Sequence, residues 1–278
     1  MTMTMTSKLF YLISLALTGL LFLADFRYIG GIKFSFMDDS LGPLVFLVSA
    51  YIVWLDWDRL KQARIAPKAA GLIGVIASIL LYFAAVRAEL PQAYHVSFIV
   101  FLISSVYYIF GSEITEILAF PIAYTFFVIP INFLKEMIGV PLRFFVSAVS
   151  AGIFNVLGMP AERVGTSIYL GFFSFDIAAP CSGINSLFSL LALSAVFAYL
   201  TEKSNLKRAI LFVSAIPIAV VVNILRVTSI GLVAKSVSKD IALSVYHDYS
   251  GYILFILSLA LLYLEKMALD AIGHKKTI

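Results

Sequence analysis

Residues 176–200 read DIAAPCSGINSLFSLLALSAVFAYL, and no charged residue occurs from Ile177 to Thr201. A membrane-spanning helix needs about 20 mostly apolar residues, so the part from 182 to 200 reads as a transmembrane helix entered through a short polar turn. That turn holds Cys181, the only cysteine in 278 residues. The fold class follows from this stretch and others like it. The question of function starts from the thiol placed where a polar loop becomes an apolar helix.

The rest of the chain agrees. It is 62% hydrophobic and only 13% charged, with a mean hydropathy of +1.01. A chain with so little polar surface is solvated by lipid. The net charge of +4 and pI near 9.0 therefore report loop topology and give no reason to expect a nucleic-acid partner. One cysteine cannot form an intrachain disulfide. With three histidines scattered at 95, 247 and 274, no metal site is expected. No H-E-x-x-H, Walker or dinucleotide-binding pattern occurs, so no cofactor is expected either. The first apolar run follows Lys8 and has no small-residue cleavage site after it, so it reads as a retained span.

Eight spans are expected, at roughly 8–24, 41–57, 69–86, 96–111, 116–132, 182–200, 209–233 and 248–265. The chain is thus read as an all-α polytopic membrane protein, a single integral membrane domain over 1–278. Lysines and arginines cluster in the loops after the second and sixth spans and in the tail after the eighth. With Lys8 they number eleven, against eight on the other side. This bias puts both termini in the cytoplasm, with the chain integral to the cytoplasmic membrane. The segment from about 133 to 180 is not expected to span. LKEMIGVPLRFFVSAVSAGIFNVL carries Lys135, Glu136 and Arg143. It reads as interfacial helix broken near Pro141. A short hairpin on the outer face is expected in RVGTSIYLGFFSFDIAA.

This topology brings three chemically capable side chains to one depth on the extracytoplasmic side. Cys181 opens the sixth span and His247 opens the eighth. Arg226 lies in the outer half of the seventh, about 27 Å along the helix from Arg208. Each has an ordinary reading. Cysteine is a small hydrophobe and is commonly buried. An arginine in the outer half of a span can snorkel to headgroups. A lone histidine beside Tyr246, Asp248 and Tyr249 suits a wet surface. Against these stand the physics of each position. Backbone N–H groups at a helix start stabilise a thiolate. Pro180 suits a first helical turn, and Ser182 and Gly183 leave the thiol approachable. A charge within a span costs about 2.5–3.5 kcal/mol on insertion scales and is functional by default. Asn223, three residues before Arg226, shares its helix face.

Together the three side chains make a mechanism. A thiolate attacks an acyl carbonyl, a histidine takes and returns the proton, and a guanidinium stabilises the oxyanion. Such chemistry at a membrane face would cut or transfer a peptide.

The ordered set PCSGI, NILRV and a histidine opening the next span resembles the exosortase/archaeosortase family over roughly 95–265. The resemblance implies a cysteine protease-like or transpeptidase-like site. In it Cys181 is the nucleophile, His247 the acid/base and Arg226 the electrostatic stabiliser, with Asn223, Ser182 and Gly183 in support. The implied substrates are exported proteins with a C-terminal sorting signal of the PEP-CTERM kind: a short motif, one transmembrane helix and a basic tail. Cleavage at the motif would pass through a thioester. The new C-terminus could then pass to a lipid or surface acceptor. Such enzymes occur with exopolysaccharide and biofilm-matrix gene sets. The polar outer segment, with Tyr169 and Asp176, is expected to receive the extended motif by strand addition.

Two other functions fit parts of the pattern. A small-solute transporter would hold an anion with Arg226 and would not need Cys181. A non-catalytic membrane component of a polysaccharide export system would need none of the three residues. An intramembrane metalloprotease would need clustered ligands, which Glu113 and Glu116 lack in the sequence.

Overall fold

A computed structural model describes residues 42–128, 132–177 and 183–274. The chain divides into two compact units, residues 1–130 and 131–278. The expected first span, 8–24, lies outside the described residues.

In the first unit the elements are α1 (Gly42–Leu55), α2 (Trp57–Gln62), α3 (Gly71–Arg87), α4 (Pro91–Phe110) and α5 (Ser112–Tyr124), which runs into a 3-10 turn, Thr125–Val128. α3 and α4 pack as an antiparallel hairpin at very close range. A Cβ at Gly71 would come within 2.6 Å of the Tyr108 backbone, and one at Gly74 within 2.3 Å of Ser104 Oγ. Small residues permit this approach, as in membrane helix pairs generally. Gly111 separates α4 from α5 with φ +91, and a Cβ there would lie 2.0 Å from the Ala66 carbonyl oxygen. The segment before α3 is strapped to the end of α4 by Ala66 N–H to Phe110 O at 2.9 Å and Lys68 N–H to Tyr108 O at 3.3 Å. The Arg64 N–H adds a bond to Glu113 Oε2 at 2.7 Å.

The second unit contains α6 (Asn132–Val156), three short strands, α7 (Ile184–Thr201), α8 (Asn205–Ser236), α9 (Lys239–Ile241), a π-helical turn (Ala242–Tyr246) and α10 (His247–His274). The 32-residue α8 is its axis, packed against α6, α7 and α10. Where the sequence suggests a two-stranded hairpin, the chain forms a three-stranded antiparallel meander. Its strands are β1 (Glu162–Val164), β2 (Ser167–Tyr169) and β3 (Ser174–Asp176), with Ile168 opposite Arg163 on one side and Phe175 on the other. The Asp176 carboxylate accepts bonds from Thr166 Oγ1 at 2.7 Å and Ser167 Oγ at 3.0 Å. Ile168, Leu170 and Ile177 pack with Phe154 of α6 and Val227 and Ile230 of α8 into one buried cluster. Farther back along α8, Ala215 and Ala219 meet Ile184, Leu187 and Leu190 of α7. Near its start, Leu211 meets Ala198 and Leu262. α7 and α10 therefore run antiparallel to α8.

Five described helices contain segments long and apolar enough to cross a membrane: 93–110, 137–156, 184–201, 205–236 and 249–271. The protein is thus an all-α membrane protein with one small sheet. Among the described residues, the spans expected at 41–57, 69–86 and 116–132 fall on helices shorter than a full crossing. α1 has 14 residues and α3 has 17, giving about 21 and 26 Å of helix against a hydrocarbon core of about 30 Å. α5 has 13 residues before its tighter turn. The segment expected to break at Pro141 is instead one 25-residue helix, α6, running through that proline. Its inner face is held after the proline, from Leu142 and Val146 to Phe154. That packing carries the helix past the missing N–H.

Candidate active site

The site is built on one turn of α8. Asn223 is 4% exposed and Arg226 is half-buried one turn later. Both line a cavity of about 20 Å³ between α7, α8 and α10, room for about one water. Its other polar lining comes from Ser186 of α7 and Ser258 of α10. The expected pairing of Asn223 and Arg226 on one helix face is what the spacing of three residues gives here.

The start of α7 is seated on Asn223. Gly183, the residue before the helix, has φ +75, the left-handed region that glycine adopts without strain. A Cβ at this position would lie 2.6 Å from Asn223 Cγ and 2.7 Å from its Nδ2. Glycine is therefore required twice, for the backbone angle and for the approach. The Asn223 side chain fills the space that a side chain at 183 would need. Cys181 and Ser182 lie outside the described residues.

The start of α10 is seated on Arg226. Its Nε donates to Ser250 Oγ at 3.4 Å, and Ser250 is 2% exposed. The guanidinium also lies beside Gly251, where a Cβ would stand 3.5 Å from Nη2 and 3.7 Å from Cζ. His247 is the first residue of α10 and follows directly on the π-helical turn. Single π-turns are frequent at functional positions. Ala242, fully buried in the cluster beneath the sheet, anchors that turn. Two of the three expected catalytic positions are thus placed by backbone or side chain. Arg226 lies against the first turn of the helix that His247 opens.

Sequence reasoning passes over Ser186, Ser250, Gly251 and Ser258. For two of them a signal exists. Ser250 and Gly251 follow His247 by three and four residues, so all three share a helix face. Among the described residues, no group of three His, Cys, Asp or Glu side chains is placed to hold a metal ion.

A second polar cluster lies at the other end of α8. Lys207 Nζ reaches Asp270 Oδ1 at 3.0 Å, and Lys266 Nζ reaches Asp270 Oδ2 at 2.5 Å. Arg208 stacks on Tyr199 at 4.9 Å and donates to the Glu202 carbonyl at 2.8 Å. Ser214 Oγ bonds to Glu265. This cluster ties α7, α8 and α10 together.

A family model, Transmembrane exosortase (Exosortase_EpsH), matches residues 36–264. The chain belongs to the transmembrane exosortase family. The match begins well before the motif-bearing part of the exosortase and takes in α1 to α5. No curated protein and no solved structure gives a significant match. Exosortase membership supports a membrane transpeptidase-like role in the processing of exported proteins.

Proposed function

We propose that this exosortase cleaves the C-terminal sorting signal of exported proteins through a thioester on Cys181. The thiolate attacks the scissile carbonyl and forms the C–S bond. Arg226 faces the oxyanion that develops. The C–N bond then breaks, and the leaving amine takes the proton held by His247. Water or an amine acceptor, deprotonated by His247, attacks the thioester and returns the thiolate. Asn223 seats the turn after the nucleophile. The extended motif pairs with the outer edge of β3, the strand that precedes the nucleophile in the chain.

The observation that carries this reading is the convergence on one turn of α8. Asn223 holds the residue two positions after Cys181, and Arg226 bonds to the residue three positions after His247. Loop charges support the placement of the site on the extracytoplasmic face, with both termini in the cytoplasm. The chain acts in this reading as one integral membrane domain, with the chemistry carried between about 95 and 265.

The test is co-expression with an exported protein that ends in a short motif, a transmembrane helix and a basic tail. Its mass is followed on a gel, with wild type and Cys181→Ala compared at matched membrane levels. Processing lost only in the variant supports acyl transfer through the thiol. Equal processing in both removes the thiol mechanism. Deletion of 162–176 with processing intact removes the docking of the motif on the sheet.

A further inference from the structure

Most buried serines in the second unit turn back on their own helix. Ser194 bonds to the Leu191 carbonyl at 2.9 Å, and Ser258 to the Leu254 carbonyl at 3.0 Å. Such bonds satisfy the hydroxyl locally and set no geometry between helices. Ser250 differs. Its oxygen accepts across the helix interface from Arg226 Nε. It is buried, so water does not compete strongly for it. The next residue, Gly251, supplies the other half of the contact. The guanidinium packs beside it, 3.5 Å from where a Cβ would be, so a Cβ there would meet it in ordinary contact and a larger side chain would crowd it.

We infer that Ser250 and Gly251 form a seat that fixes the Arg226 guanidinium against the face of α10 that His247 opens, making both positioning residues for the reaction. The geometric basis is the helix repeat. Positions 247, 250 and 251 stand above one another on a single face. A guanidinium held on 250 and 251 has its rotation about the α8 axis defined relative to 247. An arginine has many rotamers, and its stabilising effect on an oxyanion depends on donors already aimed at the reaction centre. A ~1 Å displacement of such a group costs on the order of 100-fold in rate. The seat restricts that freedom through the Nε–H and the face of the guanidinium. This inference rests on the proposed peptide-processing reading for its catalytic consequence, and on the described contacts alone for the seat itself.

Four variants test it, each first checked for wild-type membrane level and a single symmetric peak on gel filtration in detergent. Ser250→Ala removes the acceptor and Ser250→Thr keeps it. Gly251→Ala adds only an ordinary contact, whereas Gly251→Val pushes a methyl into the guanidinium. The expected result is a fall of about tenfold in the processing rate at saturating substrate for Ser250→Ala, with KM changed less than about twofold. Ser250→Thr should retain most of the rate, and Gly251→Val should fall further than Gly251→Ala. A simple helix-stitching role predicts lower stability with no such split between kcat and KM. Rates within about twofold of wild type for both Ser250→Ala and Gly251→Val overturn the proposal. So does a Ser250→Thr variant as slow as Ser250→Ala. A second readout needs no substrate. The ¹⁵N resonance of the Arg226 Nε–H, assigned with Arg226→Lys, should exchange slowly with water in wild type and Ser250→Thr and rapidly in Ser250→Ala. Unchanged exchange in Ser250→Ala rejects the seat. If wild type processes no sorting signal, the functional reading fails by itself, and this measurement still decides the seat.

Discussion

Gly183 and Arg226 each hold a demanding local geometry in the second unit. Alanine at 183 would have to hold φ near +75 and would push its Cβ against Asn223. Gly183→Ala should therefore destabilise the protein by about 1–3 kcal/mol, read as a lower unfolding temperature in detergent. Gly152, with nothing within 4 Å of a would-be Cβ, gives a control in which alanine stabilises the helix by a few tenths to about 1 kcal/mol. Arg226→Lys keeps the charge and loses the Nε–H, the flat face and the fork of donors. The processing rate should drop by at least about tenfold, equivalent to about 1.4 kcal/mol of transition-state stabilisation, measured on the co-expressed substrate. A lysine variant at the wild-type rate would reduce Arg226 to a point charge.

At the scale of elements, α6 shows how packing overrides a local signal. Pro141 lacks an N–H for the Met137 carbonyl, and its exposed ring lies away from the cluster formed by Val146 and Phe154. Pro141→Ala should thus leave the fold intact and raise stability by about 1–3 kcal/mol, seen as a higher unfolding temperature. A lower one would mean that the proline sets a bend the packing needs. The contacts also give α6 a direction. Gly139 lies near Ile184, next to the Asn223 level of α8, while Phe154 meets Gly231. About 22 Å of α6 thus matches about 12 Å of α8, so α6 runs obliquely. Length and composition class it with the spanning helices, against the interfacial segment read from Lys135, Glu136 and Arg143. The apolar runs that became α7, α8 and α10 were legible because an uninterrupted 18-residue run leaves a helix little alternative. The continuous helix through Pro141 was not, because packing of its neighbours carries it past the proline. At the site, Arg226 and Asn223 stood out as polar groups in an apolar helix. Ser250 and Gly251 are common residues, and only the guanidinium across the interface gives them meaning.

Across the whole second unit, α8 joins two polar clusters of different character. Lys207 and Arg208 anchor one end, and Arg226 lies eighteen residues beyond Arg208 in the sequence. The separation is about 27 Å, close to the thickness of the hydrocarbon layer. A helix with charges spaced this way is expected to span with the two sets near opposite interfaces. In a Cys181→Ala background, Ser204→Cys and Ser238→Cys should therefore react with an impermeant maleimide from opposite sides of sealed vesicles. Labelling of both from one side would require α8 to lie otherwise. The expected orientation, with 204 inside, follows from the basic loops around Lys203, Lys207 and Arg208.

The contact between Gly183 and Asn223 also has a consequence in time. Translation delivers residue 183 to the membrane forty residues before Asn223 and well before Ser250. Until the later helices have inserted, the turn after Cys181 has no asparagine to rest on, and Arg226 has no seat on α10. The nascent chain thus carries its thiol early and gains its partners late. In the proposed reading α10, made after α7 and α8, completes the constellation, so a chain truncated before it would sit in the membrane without the power to act on its neighbours.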